Sequence, residues 1–190
     1  TSKLSWMNFE VRKMVVLIRK ITRAKCDAPE DLNEGEIPAD AVSYDLRTTS
    51  NKLSFWACAS GDKEELRKAT LAIAATSDNA DRMDLAWVDE EAFHKNECTT
   101  KQSDGSTPVS SLRKTHVDLV RIDVGRLSKV ARLISEAIDA GNHCRMTKKQ
   151  VVEIVVDAVK QDLVALDELK PSFKKSVVDT LSKKKDHIES

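Results

Sequence analysis

Four carboxylates stand where two apolar runs begin or end. Asp84 and Asp89 lie within MDLAWVD at 83–89, and Asp118 and Asp123 lie in and after THVDLVRI at 115–122. Acids at strand ends can hold Mg²⁺, an ion that takes one or two carboxylates and keeps its waters, for phosphodiester hydrolysis or phosphoryl transfer. The acid-x-Lys triplet of many nuclease strand ends is missing, since Glu91 and Lys95 are four apart. Asp123 also suits the N-cap of a following helix, where a short side-chain acceptor meets a free backbone N–H.

Metal binding has two half-candidates. His94 and Cys98 are four apart, the spacing that puts two ligands on one helix face, and His143 and Cys144 are neighbours. Neither belongs to a CxxC framework, so a site needs both halves to meet in space. The four histidines, His94, His116, His143 and His187, and the four cysteines offer nucleophile–base pairs only if folding joins them. No GxSxG elbow occurs. Ser111 to Lys114 and Ser172 to Lys175 match SxxK, a pattern that chance supplies in a chain rich in Ser and Lys. The five glycines, at 35, 61, 105, 125 and 141, never cluster, which excludes a Walker A loop and GxGxxG. No catalytic, cofactor-binding or metal-binding residue is therefore assigned, and no cofactor is expected.

The elements that must position these residues read as follows. Residues 9–21 are ambiguous between a helix, on the spacing of Leu4, Met7, Val11, Met14 and Ile18, and a strand, on Val15, Val16 and Ile18; a strand over about 13–21 is favoured. The acidic stretch 27–37 reads as an exposed loop, and Pro38 opens a short helix at 39–46. LSFWACA alternates as a strand at 53–59 with Leu53, Phe55 and Ala57 on one face. Asp62 with Glu65 marks a helix start, and Leu66, Ala69 and Ile73 continue its apolar stripe. The run 83–89 is a strand with a short helical continuation at 90–94, and 115–122 is the fourth strand. Between them, the polar segment 96–108 is expected to be a mobile loop. A helix over 125–140 presents Val124, Leu127, Ala131, Ile134 and Ile138 and stops at Gly141.

The last fifty residues form two helices. Thr147 and Gln150 make a capping box that opens a helix from Lys148 to about Leu169; Pro171 opens another, with Phe173, Val177, Val178 and Leu181 inward. This order of elements gives an α+β fold: a mixed sheet of about four strands with flanking helices, residues 1–146, and a C-terminal helical hairpin, residues 147–190, packed on it.

Composition narrows the function classes. The 190 residues carry 31 basic and 31 acidic side chains and only five Gly and four Pro. Fibrous and wholly disordered classes are excluded, and the longest apolar run, Met14 to Ile18, is far short of the about 20 residues a membrane-spanning helix needs. No charged-then-apolar leader opens the sequence, and the cysteines at 26, 58, 98 and 144 are widely spaced, so a reducing cytoplasmic setting with free thiols is expected. The zero net charge is made of blocks. Seven bases against Glu10 precede residue 26, seven acids and no base fill 27–45, and the acidic block is expected to fold back near the basic one.

Nucleic acid is disfavoured, because the isoelectric point is near 6.8 and the basic segments lack stacking aromatics beyond Trp6 and Phe9. The helix after Thr147 carries Val151, Val152, Ile154, Val155, Val156, Ala158 and Val159, a wider apolar face than one packing layer requires. The sequence therefore points to a non-catalytic interaction or assembly module with a protein partner or self-association. The alternative is an Mg²⁺-dependent phosphodiesterase built on Asp84, Asp89, Asp118 and Asp123.

Overall fold

The computed structural model describes residues 15–26 and 36–186, with side chains up to Lys183. Six strands, β1 (Val16–Ile21), β2 (Leu53–Cys58), β3 (Met83–Asp89), β4 (Thr99–Gln102), β5 (His116–Val120) and β6 (His143–Met146), form one sheet in the order β4-β5-β2-β1-β3-β6. Every neighbouring pair is antiparallel. The fold is α+β, as the sequence indicates, but the sheet has six strands rather than about four and contains no parallel pair.

Helices cover both faces. On one side lie α3 (Lys63–Ala74), α6 (Lys148–Lys160) and α7 (Pro171–Asp186), packed on Val16, Ile18, Trp56, Met83 and Leu85. On the other lie α2 (Ala39–Asp45), α4 (Glu90–Lys95) and α5 (Val124–Asp139), packed on Leu17, Phe55, Ala86, Val88 and Leu119. A single helical turn, α1 (Arg23–Cys26), follows β1. The central position of β1 explains its continuous apolar run. A strand covered on both faces buries consecutive residues, so Val16, Leu17 and Ile18 are all buried and the helix reading of this run fails. The earlier residues of that reading, Leu4, Met7, Val11 and Met14, lie outside the described residues, as do Trp6, Phe9 and His187.

The local signals are realised. Asp62 accepts from the backbone N–H groups of Glu64 and Glu65 and caps α3; Thr147 and Gln150 form the reciprocal box that opens α6. Gly141 takes φ +81° after α5, a left-handed stop that favours glycine.

Four expectations need correction. The segment 96–108 is ordered: β4 pairs with β5 along the sheet edge, and Thr107 is fully buried. An edge strand needs neighbours on one side only and tolerates polar residues on both faces, so polarity is a poor signal of mobility there. β6 is an additional edge strand, HCRM, with Cys144 and Met146 packed on the α3-side core, but it is only four residues long and has no β-branched residue to announce it. α6 ends at Lys160, followed by Asp162 at φ +56° and a 3-10 turn at Leu166–Glu168, instead of running to Leu169. Val124 is 86% exposed and Val178 40% exposed, so neither faces inward. Among the described residues no helix is long and apolar enough to cross a membrane.

Candidate functional site

The four strand-end acids do not share a site. Ser54, the cross-strand partner of Asp118, lies on the α3 side of the sheet, whereas Asp84, between the α3-side residues Met83 and Leu85, points to the α5 side. Three strand spacings separate β3 from β5, about 14 Å. Asp84 receives a two-pronged bond from Arg145, 2.6 Å from Nε and 3.0 Å from Nη2, which holds its carboxyl below the usual range. Asp123 caps α5, accepting from the Arg126 backbone N–H at 2.8 Å and pairing with its guanidinium at 2.6 Å. Asp89 lies at the junction of β3 and α4, five residues from Asp84.

The metal half-sites also stay apart. His94 contacts Thr100 at 3.0 Å, while Cys98 is buried with its Sγ on the Asn96 carbonyl. His143 and Cys144 are consecutive on β6 and therefore face opposite sides of the sheet. β4 and β6 are its two edges. Among the described residues no three His, Cys, Asp or Glu side chains are grouped as a metal site. The cysteines form no disulfide. Burial, with Glu65 adding to it, pushes the Cys58 thiol up to about 12, so it is no nucleophile at neutral pH. Ser111 lies in a 3-10 turn and Ser172 in the first turn of α7, and neither hydroxyl is hydrogen-bonded to a described histidine.

What the fold does build is a cleft of about 540 Å³ at one end of the sheet, where β1 ends and β2 and β3 begin. Lys20, Ser54, Trp56, Asp81, Arg82 and Tyr44 contribute to its walls. Arg19 is committed internally: its guanidinium donates to the Asp45 carbonyl and, at 2.5 Å, to the Ser54 carbonyl, and stacks over the Phe55 ring. Asp45 in turn accepts from the Thr22 backbone N–H and hydroxyl. Lys25 lies over the Tyr44 ring, 3.7 Å from its centre. These contacts place Asp45, the last acid of the acidic block, beside Arg19; Lys3, Arg12, Lys13, Asp27, Glu30, Asp31 and Glu34, on which the expected fold-back of the acidic loop rests, lie outside the described residues. Lys20 and Arg82 are exposed and make no hydrogen bond or ion pair with a described residue. An adjoining cavity of about 380 Å³ is lined by Arg23, Ala24, Asp84, His143 and Arg145.

Behind the cleft floor lies a hydrogen-bonded polar chain. Register pairs Ser54 with Asp118 and Trp56 with His116. The Ser54 hydroxyl donates to Asp118 Oδ1 at 2.9 Å, and the Ser103 hydroxyl lies 2.9 Å from Asp118 Oδ2 and 2.8 Å from His116 Nδ1. The His116 ring meets the Trp56 ring edge-on at 5.1 Å. Burial lowers the His116 pKa, opposed by the Asp118 charge. Of these residues the sequence singled out Asp118 and, only as one of four histidines, His116. Ser54 and Ser103 gave no signal, because their roles come from cross-strand register and from the edge strand that delivers Ser103.

Comparison with known proteins brings no family to this chain: no family model, curated protein or solved structure matches it.

Proposed function

We propose that the chain is a non-catalytic interaction module that docks an acidic segment of a protein partner in the cleft at the sheet end, in a reducing cytoplasmic setting that keeps its four thiols free. The observation that carries this reading is the pair Lys20 and Arg82, exposed on the cleft wall with no hydrogen bond or salt bridge to a described residue, Arg82 acting on Asp84 only at longer range. The neighbouring acids are met by cations of the chain itself, Asp84 by Arg145 and Asp45 by the Arg19 charge. That leaves two cations without a salt bridge against one such acid, Asp81, in a concave site that also presents Tyr44 and Trp56. Such a surface steers an oppositely charged segment and gains affinity as salt is lowered. The broad apolar face of α6 does not contribute, since Val151, Val152, Ile154, Val155 and Val156 are buried in the layer shared with α3 and α7.

The test is binding of Asp/Glu-rich peptides to wild-type chain and to the Lys20→Glu/Arg82→Glu double variant by titration calorimetry at low and high salt. Salt-sensitive binding by the wild type, weakened at least about tenfold in the variant, is expected for two lost charge contacts. Equal binding by both, no binding by the wild type, or a salt-insensitive dimer of the chain in light scattering would overturn the reading.

A further inference from the structure

The chain Ser54–Asp118–Ser103–His116 carries an inference independent of partner docking. A hydroxyl has one proton, and Ser103 has two neighbours that can accept it: the Asp118 carboxylate and His116 Nδ1. The bond to the charged oxygen is the stronger. Ser103 therefore donates to Asp118 and accepts from a protonated Nδ1, while Ser54 satisfies the other carboxylate oxygen. With its proton fixed on Nδ1, the neutral imidazole carries its lone pair on Nε2. That atom makes no hydrogen bond to a described residue and, unlike Nδ1 of His143, is not sealed from solvent. A carboxylate acting through one hydroxyl on one imidazole nitrogen orients the ring and fixes its tautomer, and burial, which lowers the His116 pKa, favours the neutral ring with its Nε2 lone pair.

We propose that His116 is a phosphoryl-accepting site: Ser103 and Asp118 hold its Nδ1 proton and leave Nε2 as the nucleophile toward small activated phosphates such as acyl phosphates or phosphoramidate. In the step, the Nε2 lone pair forms an N–P bond while the bond from phosphorus to the leaving group breaks. The leaving group departs with that electron pair, as a carboxylate or as ammonia. Nδ1 keeps its proton throughout, so the phosphorylated ring is a cation whose charge is met through Ser103 by Asp118. Lys101, the cross-strand partner of Asp118, stands on the same face of the edge strand, where it can meet the incoming phosphate charge. The remaining described histidines lack this support. His94 is exposed but bonds only Thr100 and approaches Glu90 at 3.8 Å, and Nε2 of His143 accepts from Arg23 at 2.5 Å.

Treatment of the folded chain with potassium phosphoramidate, followed by mapping of acid-labile, base-stable phosphate by mass spectrometry, tests this. His116 is expected to be labelled severalfold faster than His94, although His94 is the more exposed, and faster than His143. Asp118→Asn replaces the charged acceptor by a neutral amide, so Ser103 loses its preference for residue 118 over Nδ1 and the Nδ1–H tautomer loses its support. That variant, checked for native circular dichroism, is expected to lose labelling at His116 by about tenfold or more and to retain it at His94. Faster labelling at His94 than at His116, or His116 labelling unchanged by Asp118→Asn, would overturn the proposal. The wild-type comparison decides the matter even if the variant fails to fold.

Discussion

Single residues show most clearly which parts of the site were readable. Asp62, Asp123 and Thr147 bond within three residues of themselves, so their capping roles follow from local order alone. Asp84 and Asp118 bond across strands, 61 and 64 residues away, and nothing in the sequence fixes which strand lies beside which. The Asp84–Arg145 pair makes a prediction at this scale. The folded carboxyl titrates below the unfolded one, so the pair's stabilisation is fully present above the unfolded value, about pH 4, and is lost as pH falls through the folded value. Asp84→Asn should cost about 1–2 kcal/mol at pH 7, a charge-assisted bond discounted for the half-exposed Arg145, and the cost should shrink below about pH 4. Urea denaturation of both proteins at several pH values checks this; a pH-independent difference would show that the ion pair is not its source.

At the scale of elements, buried and central pieces were legible and edges were not. β1, β2, β3 and β5 carry enough apolar or β-branched residues to declare themselves, while β4, TTKQ, has no apolar face and β6, HCRM, offers only Cys144 and Met146, each strand having one neighbour. The turn after β4 matters to the site because it closes over Trp56 and His116. A Cβ on Gly105 would stand 2.6 Å from the Trp56 ring and 3.0 Å from His116 Cβ, neither of which can move cheaply. Gly105→Ala is expected to destabilise the chain by about 1–3 kcal/mol, as overpacking does, and to change tryptophan fluorescence. An unchanged denaturation midpoint would mean that the turn does not pack tightly on the Trp56 ring and His116 Cβ.

For the whole molecule, the six-stranded sheet with helices on both faces settles what the charge blocks and the α6 face mean. The wide apolar surface of α6 is spent inside the protein, joined to α3 by the 2.6 Å Arg67–Asp157 pair, so its breadth in the sequence reflected a central position. The described ends of the opposed charge blocks meet where α2 packs by the end of β1, through Asp45, Arg19 and Thr22, and Lys20 and Arg82 stand exposed on the cleft wall. Neither the cleft nor its unspent cations could be read from a chain whose charges sum to zero, because commitment of a charge is a property of three-dimensional neighbours. Hydrogen–deuterium exchange of the full chain with and without a bound Asp/Glu-rich peptide tests the docking account most directly. It predicts added protection confined to the cleft segments around 19–24, 44–45, 54–56 and 81–84, lost in Lys20→Glu/Arg82→Glu. Protection on the outer face of α7 or along the β4 edge, with those segments unchanged, would contradict it.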